Sequence, residues 1–207
     1  MIPHPLAVGL TGGIGSGKTL IASMFAALGT RILSADDLAK NLVDTNQLLK
    51  SRIQREFGSE IYTNENVLNR KRLARTVFHD PSALQRLNQI VHPLVLQSIR
   101  DEIVAFKQEK TRDILMVEAA LLFEANAESM FDYILVVDAD EEERIHRIIA
   151  RDKCSKSEIH ERIKAQMPVS EKITKADFVI RNMGDQKMLK EKCLFIYTLL
   201  HIIAQGS

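Results

Sequence analysis

Residues 7–19 read AVGLTGGIGSGKT, a short apolar run that breaks into glycines and ends in Lys-Thr. The spacing of Gly12, four residues, Gly17, Lys18 and Thr19 is the pattern of a phosphate-binding P-loop. Glycines allow the backbone to close around a polyphosphate, because they have no Cβ and readily adopt positive φ. Lys18 is predicted to contact the β- and γ-phosphates, and the Thr19 hydroxyl is predicted to bind Mg²⁺. The predicted nucleotide-binding residues are Gly12, Gly13, Ile14, Gly15, Ser16, Gly17, Lys18 and Thr19.

The sequence around this loop has the pattern of a strand before it and of a helix after it. Residues 6–10 are apolar enough for a buried parallel strand, and residues 20–28 carry apolar side chains at helical spacing before Gly29. The N-terminus of that helix would point at the phosphates, where its dipole favours negative charge. Binding of a nucleoside triphosphate is therefore favoured over a glycine-rich turn without a ligand.

Length, charge and cysteine content restrict the class of protein. A chain of 207 residues is long enough for one domain with insertions, or for a core with a small lobe. The net charge of +1 gives no reason to expect a nucleic-acid partner. Cys154 and Cys193 are far apart, which is typical of a reducing compartment and not of a disulfide or a metal site. No stretch approaches the roughly 18 apolar residues of a membrane span, so we expect a cytoplasmic protein without a membrane partner.

Five short β-rich runs alternate with helix-like sequence, which predicts an α/β fold with a parallel sheet covered on both faces. The interval between the second run and the third is far longer than one crossover helix needs, so a helical insertion is predicted there. Within it, Pro93 is expected to end or kink a helix, because proline has no N–H to donate. The predicted strands are residues 7–11, 31–33, 114–118, 133–138 and 178–181.

A P-loop does not by itself distinguish a GTPase switch from a phosphotransferase. Residues 174–177 read TKAD, which matches by letters the guanine-reading pattern of GTPases. This tetrapeptide precedes a predicted strand, whereas ligands of open α/β sheets bind at the carboxyl ends of strands. The chain also contains no Asp-x-x-Gly, which a GTPase needs at the γ-phosphate. The GTPase interpretation is therefore rejected.

Three arginines after the fourth predicted strand favour phosphoryl transfer. Arg144, Arg147 and Arg151 are spaced three and four residues apart, which puts them on one face of a helix. An arginine beside the migrating phosphoryl group can contribute roughly 10³–10⁵ in rate. The alternative is a solvated helix face on which these arginines pair with the neighbouring glutamates.

Carboxylates after the second and third predicted strands are candidates for a general base and a metal ligand. Asp36 follows the second strand, whose carboxyl end lies beside the P-loop if the sheet is wound as in other P-loop kinases. A carboxylate there could orient an acceptor hydroxyl and take its proton. The alternative for Asp36 or Asp37 is an N-cap of the following helix. Glu118 ends the third strand and could hold Mg²⁺ directly or through water.

Seven segments, distributed in order along nearly the whole chain, resemble the dephospho-coenzyme A kinases. They are GLTGGIGSGKT (9–19), SADDLAK (34–40), LNQIVHPLV (87–95), ALLFE (120–124), VVDADEEERIHRIIARD (136–152), RIKAQM (162–167) and ADFVIRN (176–182). The resemblance implies a P-loop kinase-like, parallel five-stranded sheet flanked by helices, with an inserted helical substrate lobe and a lid. The implied nucleotide-binding core is 1–45, 110–140 and 167–207, the acceptor-binding lobe is 46–109, and the lid is 141–166.

The resemblance also implies a reaction and assigns roles to matching residues. ATP would phosphorylate the ribose 3′-hydroxyl of dephospho-coenzyme A, giving coenzyme A and ADP, with Mg²⁺ as cofactor. Asp36 falls on the general base of the family, and Arg147 and Arg151 fall on its lid arginines. His92 lies in a segment that the resemblance puts beside the acceptor, and its alternative role is to cap a turn.

The sequence also contains candidates for further substrate contacts and is compatible with two alternative functions. Arg70, in a basic cluster of the insertion, could bind the pyrophosphate of the acceptor, with a solvated helix face as the alternative. Arg144 is the remaining predicted substrate contact. The alternative functions are a kinase for another small hydroxyl acceptor, such as a nucleoside, shikimate or a sugar acid, and a non-catalytic nucleotide-binding regulator. Expected partners are ATP and dephospho-coenzyme A, and the chain is expected to be a monomer or a weak homo-oligomer.

Overall fold

The structure is a computed structural model that describes residues 4–63, 65, 67–78, 80–109, 113–152 and 155–206. Cys154 lies outside these residues. The chain divides into two compact units. The first unit consists of Met1–Ser34 and Glu102–Ser207, and the second unit is Ala35–Asp101.

The first unit is built on a parallel sheet, which confirms the predicted α/β fold. Its strands are β1 (Leu6–Gly12), β2 (Arg31–Ser34), β3 (Ile114–Glu118), β4 (Tyr133–Asp138) and β5 (Phe178–Arg181). Their order across the sheet is β2-β3-β1-β4-β5, so β1 is central. The register puts Leu10 opposite Glu118 and Gly12 opposite Val137. The carboxyl ends of β1, β3 and β4 therefore lie side by side, at the edge of the sheet where the P-loop begins.

Helices connect the strands, and polar side chains mark where several of them begin. Asn46, Ser155 and Asp185 each accept a hydrogen bond from a backbone N–H three residues later, which is the geometry of an N-cap. No helix within the described ranges is long and apolar enough to cross a membrane. The α-helices of these ranges are α1 (Lys18–Ala27), α2 (Ala35–Thr45), α3 (Gln47–Phe57), α4 (Arg70–Phe78), α5 (Pro81–Glu109), α6 (Glu141–Asp152), α7 (Lys156–Lys164), α8 (Val169–Thr174) and α9 (Gln186–Gln205).

The core of the first unit joins the sheet to α1 and α9. All of β1 is buried, because a central strand is covered on both faces. Phe25 of α1 and Leu200 of α9 have no exposed surface in this core. Full burial of such side chains contributes roughly 1.5–3 kcal/mol each, which holds both helices against the sheet. Cys193 is a free thiol of the same core, and burial raises its pKa to about 11, so it packs as an apolar side chain.

The second unit is helical and has a separate core. Buried side chains of α2, α3 and α4 meet there, together with partly buried apolar residues of α5. Tyr62 belongs to this core, and its hydroxyl donates to the carbonyl of Val43 at 2.9 Å. The buried members are Val43, Leu49, Ile53, Ile61, Tyr62, Leu68 and Leu73.

The prediction that Pro93 ends a helix is wrong, since α5 continues from Pro81 to Glu109 with Pro93 inside it, and the alternative, a kink at Pro93, stays a prediction. A proline in a helix interior costs about 3 kcal/mol, because one backbone hydrogen bond is lost and the ring crowds the preceding turn. Apolar residues at helical spacing continue on both sides, including Val91 before the proline and Ile99 after it. Burial of this long apolar face outweighs the local cost.

Candidate active site

The loop between β1 and α1 has the backbone that the P-loop pattern predicts. β1 ends at Gly12 and α1 begins at Lys18. Gly15 and Gly17 have φ values of 79° and 96°, in the region that favours glycine over residues with a Cβ. A Cβ at Gly17 would collide with the side-chain amide of Asn182. Glycine is therefore required at Gly17 both for its backbone conformation and for the close approach of another segment.

The Lys18 side chain folds back onto the P-loop. Its Nζ donates to the carbonyl oxygens of Gly12 and Gly13, at 3.1 and 3.2 Å. These bonds keep the ammonium group at the first residues of the loop. A phosphate bound by the loop would therefore find a cation next to it.

Thr19 and Glu118, the two predicted metal ligands, lie side by side next to the P-loop. The Thr19 hydroxyl donates to Glu118 Oε1 at 2.7 Å. Glu118 ends β3 and pairs in register with Leu10 of the neighbouring β1, which explains why it reaches the start of α1. A hydroxyl and a carboxylate are hard oxygen donors of the kind that Mg²⁺ binds. Among the described residues, no group of three or more His, Cys, Asp or Glu side chains is arranged so that it could hold a metal ion.

The three predicted arginines of α6 do not share one environment. Arg144 is buried, with its Nη1 2.5 Å from where a Cβ on Gly13 would lie. Arg147 donates to the carbonyl of Asn182 at 3.5 Å. Arg151 is largely exposed and forms two hydrogen bonds with its neighbour Asp152, at 2.7 and 3.0 Å. Arg144 and Arg147 therefore lie against the P-loop region. Arg147 also pairs with Glu143 at 3.7 Å, and Arg151 pairs with Asp152.

Two cationic atoms at the P-loop lack a hydrogen-bond partner. Arg144 Nε and Arg147 Nη1 are both buried, and no described atom accepts a hydrogen bond from either. Arg147 Nη1 is 3.9 Å from where a Cβ on Gly17 would lie. Buried donors that carry charge are normally paired, because leaving them unpaired is unfavourable. The arrangement favours an anionic ligand at this position.

Two polar residues that sequence reasoning did not assign also contact the P-loop. Asn182 donates through Nδ2 to the carbonyl of Ser16 at 2.8 Å. Gln166 accepts through Oε1 from the backbone N–H of Ile14 at 2.9 Å. Asn182 directly follows β5, so its position at the carboxyl end of a strand was a usable signal. Gln166 had no signal beyond its presence in the segment RIKAQM.

The second unit carries the predicted base. α2 begins at Ala35, so Asp36 and Asp37 lie in its first turn and not at an N-cap. Negative charge in a first turn interacts favourably with the helix dipole. Asp37 pairs with Lys40 at 2.7 Å, whereas no side chain of the described ranges hydrogen-bonds to Asp36, which is exposed. Its carboxylate is therefore accessible to a ligand.

Arg70 and His92 also lie in the second unit. Arg70 begins α4, and its guanidinium pairs with Asp44 at 2.5 Å and reaches the carbonyl of Lys40 at 3.4 Å. Since Asp36, Lys40 and Asp44 are four residues apart, Arg70 contacts the helix face that also carries Asp36. His92 lines an open groove of about 480 Å³ along α5, and burial lowers its pKa. The imidazole of His92 is therefore mainly neutral at neutral pH.

A comparison with models of protein families identifies the family to which this chain belongs. The family model described as dephospho-CoA kinase matches residues 6–187, which includes the P-loop, Asp36, Glu118 and α6. The chain belongs to the dephospho-CoA kinase family. The predicted assignment is confirmed, and with it an ATP-utilising phosphotransferase of coenzyme A biosynthesis.

Individual relatives agree with the family assignment over almost their full length. A dephospho-CoA kinase of Syntrophotalea carbinolica is 37% identical over 195 residues, covering 94% of this chain and 92% of that protein. A crystal structure of a Thermus thermophilus protein is 32% identical, with a TM-score of 0.78 and 99% of each chain covered. A dephospho-CoA kinase of Campylobacter jejuni is 25% identical, with a TM-score of 0.68 and 95% and 98% covered. The predicted P-loop kinase fold is thereby confirmed.

Proposed function

We propose that this chain transfers the γ-phosphoryl group of ATP to the ribose 3′-hydroxyl of dephospho-coenzyme A, the last step of coenzyme A biosynthesis. The observation that carries the residue-level proposal is the pair of unpaired cationic atoms, Arg144 Nε and Arg147 Nη1, beside the P-loop. A triphosphate would supply acceptors for both. Family membership supports the choice of dephospho-coenzyme A over other acceptors.

In this proposal the first unit binds ATP. Backbone N–H groups of the P-loop and the Lys18 ammonium hold the phosphates, and Arg144 and Arg147 neutralise charge on them. Thr19 and Glu118 would hold Mg²⁺, which neutralises charge on the β- and γ-phosphate oxygens. Arg151 would join Arg147 at the transferring group when its side chain leaves Asp152 and α6 and α7 close over bound ATP. We therefore assign residues 141–166 as a lid.

We assign acceptor activation to Asp36. Its carboxylate takes the proton of the 3′-hydroxyl as the oxygen forms a bond to the γ-phosphorus, and the bond to the β–γ bridging oxygen breaks, releasing ADP. Support comes from the exposed position of Asp36 directly after β2. Arg70 and His92, in the helical lobe 46–109, are assigned to the pyrophosphate and the ribose of the acceptor. The nucleotide-binding core of the proposal is 1–45, 110–140 and 167–207.

Two further assignments concern the state of the protein in the cell. We propose a cytoplasmic location, because the reaction uses ATP and the buried Cys193 is a free thiol. We also propose a monomer or a weak homo-oligomer.

An acceptor screen tests the proposed substrate. With Mg-ATP, ADP release is expected with dephospho-coenzyme A and to be at background level with nucleosides, shikimate or a sugar acid. The product is expected to carry the new phosphate on the 3′-oxygen, as phosphorus NMR would detect. Robust turnover of another acceptor, or ATP binding with no turnover of any, would replace this function by one of the two alternatives.

A second prediction concerns the metal ligands. Glu118→Gln keeps the size of the side chain and removes its charge, so the Mg²⁺ concentration needed for half-maximal activity is expected to rise by about 10- to 100-fold. The matched control is Glu191→Gln, an exposed carboxylate on α9. Titration of activity with Mg²⁺ measures both. An unchanged requirement in Glu118→Gln would remove Glu118 from the metal site.

A further inference from the structure

Lys172 is a lysine without exposed surface that the proposed reaction does not use. It lies in α8, and its Nζ is 2.9 Å from Glu124 Oε1 and donates to the carbonyl of Ala120 at 3.0 Å. A buried ion pair is weak evidence for stability, because apolar side chains of the same volume often stabilise as well or better. A contribution to stability therefore does not explain why this buried pair is present, and the residues that it holds in position offer another explanation.

Glu124 connects this lysine to the chain that precedes α8. Its Oε1 also accepts from the backbone N–H of Met167 at 2.8 Å. Its Oε2 is buried and has no hydrogen-bond partner among the described residues. One carboxylate oxygen therefore joins Lys172 to Met167 and fixes the backbone there.

The neighbouring residue, Gln166, contacts the P-loop directly. Its Oε1 accepts from the Ile14 N–H at 2.9 Å, across 152 positions of sequence. Three residues later, Val169 packs against the same loop, with its Cγ2 2.8 Å from where a Cβ on Gly13 would lie. The segment from Gln166 to Val169 thus contacts the first half of the P-loop. The Glu124–Lys172 pair holds the backbone of this segment at Met167.

We propose that Glu124, Lys172 and Gln166 form a positioning relay that holds the P-loop in its phosphate-binding shape. The ion pair fixes Met167, Met167 fixes Gln166, and the Gln166 amide oxygen fixes the Ile14 N–H. All three are positioning residues, since they act on ATP through the loop backbone. The inference rests on the proposed binding of ATP phosphates by the P-loop.

Gln166→Met tests the contact to the loop, because methionine has a similar length and no comparable acceptor. The KM for ATP is expected to rise about 3- to 10-fold, the effect of one lost hydrogen bond, with kcat within about twofold and the KM for dephospho-coenzyme A unchanged. In protein without nucleotide, amide exchange at Ile14 is expected to accelerate by a similar factor. Gln186→Met, at an exposed glutamine of α9, is the control and is expected to change neither quantity.

Two double variants test the buried pair without leaving a charge unpaired. Glu124→Gln with Lys172→Met retains an acceptor for the Met167 N–H but removes the lysine that holds it in place, so the KM for ATP is expected to rise by less than in Gln166→Met. Glu124→Leu with Lys172→Met removes that acceptor, and the KM for ATP is expected to rise as far as in Gln166→Met. Adding Gln166→Met to the second variant is expected to cause no further rise, because all three changes act on one contact.

The relay is overturned if Gln166→Met leaves both the KM for ATP and the exchange of Ile14 unchanged. It is also overturned if the two double variants differ in melting temperature but not in the KM for ATP, which would make the pair structural only. Lys18→Ala separates this failure from failure of the proposed function. Normal ATP affinity in Lys18→Ala would contradict phosphate binding by the P-loop itself, whatever Gln166 does.

Discussion

Asp36→Asn is expected to lower kcat by about 10²–10⁴-fold, the usual contribution of a positioned general base. Asparagine keeps the shape of the side chain and cannot take the proton of the acceptor hydroxyl. The affinities for ATP and for dephospho-coenzyme A are therefore expected to stay near normal. Calorimetry with each substrate and steady-state kinetics would separate binding from chemistry.

Two matched variants make this result interpretable. Asp37→Asn removes a carboxylate from the same first turn of α2 and is expected to leave kcat near normal, since Asp37 pairs with Lys40. Lys18→Ala removes a cation from the phosphates and is expected to weaken ATP binding and turnover together. Similar small losses in Asp36→Asn and Asp37→Asn would reduce Asp36 to a favourable charge at a helix N-terminus.

The parts of the fold that were predictable from the sequence depend on local patterns. The P-loop pattern places β1, the loop and α1 within one continuous segment, and alternating apolar runs predict the sheet. The rejection of TKAD as a guanine-reading loop also depended on its position before β5. In the structure Asp177 accepts from the Ile134 N–H at 2.7 Å, and the Thr174 hydroxyl donates to a carbonyl of its own helix. Both side chains have structural partners.

Features determined by tertiary contacts were not predictable in the same way. The continuation of α5 through Pro93 depends on burial along the whole helix, whereas the rule applied to proline considers only one turn. Asn182 and Gln166 contact the P-loop from 166 and 152 positions away, and no periodicity in the sequence reports such a pairing. The spacing of the α6 arginines correctly predicted a shared helix, but their separate partners depend on neighbours that the spacing does not specify.

The second large effect is expected for Arg147, whose Nη1 is buried and unpaired beside the P-loop. Arg147→Ala is expected to lower kcat by about 10³-fold or more, and to do so by a larger factor than it raises the KM for dephospho-coenzyme A. Arg151→Ala is expected to lower kcat in the same way, because closure of the lid would bring Arg151 to the phosphates once its side chain leaves Asp152. Steady-state kinetics with both substrates varied would measure these effects.

Arg162 supplies the control for Arg151, because it also pairs with Asp152, at 3.1 Å, and has no assigned role at the phosphates. Arg162→Ala is expected to leave kcat near normal.

Closure of the lid is expected to appear as slower amide exchange in α6 and α7 when ATP and the acceptor are both bound. A static surface would instead give unchanged exchange, and arginine variants that lose only about 0–1 kcal/mol of stability with activity intact. That outcome for both Arg147 and Arg151 would refute the lid, while the P-loop and Asp36 assignments would stand, because neither depends on movement of α6.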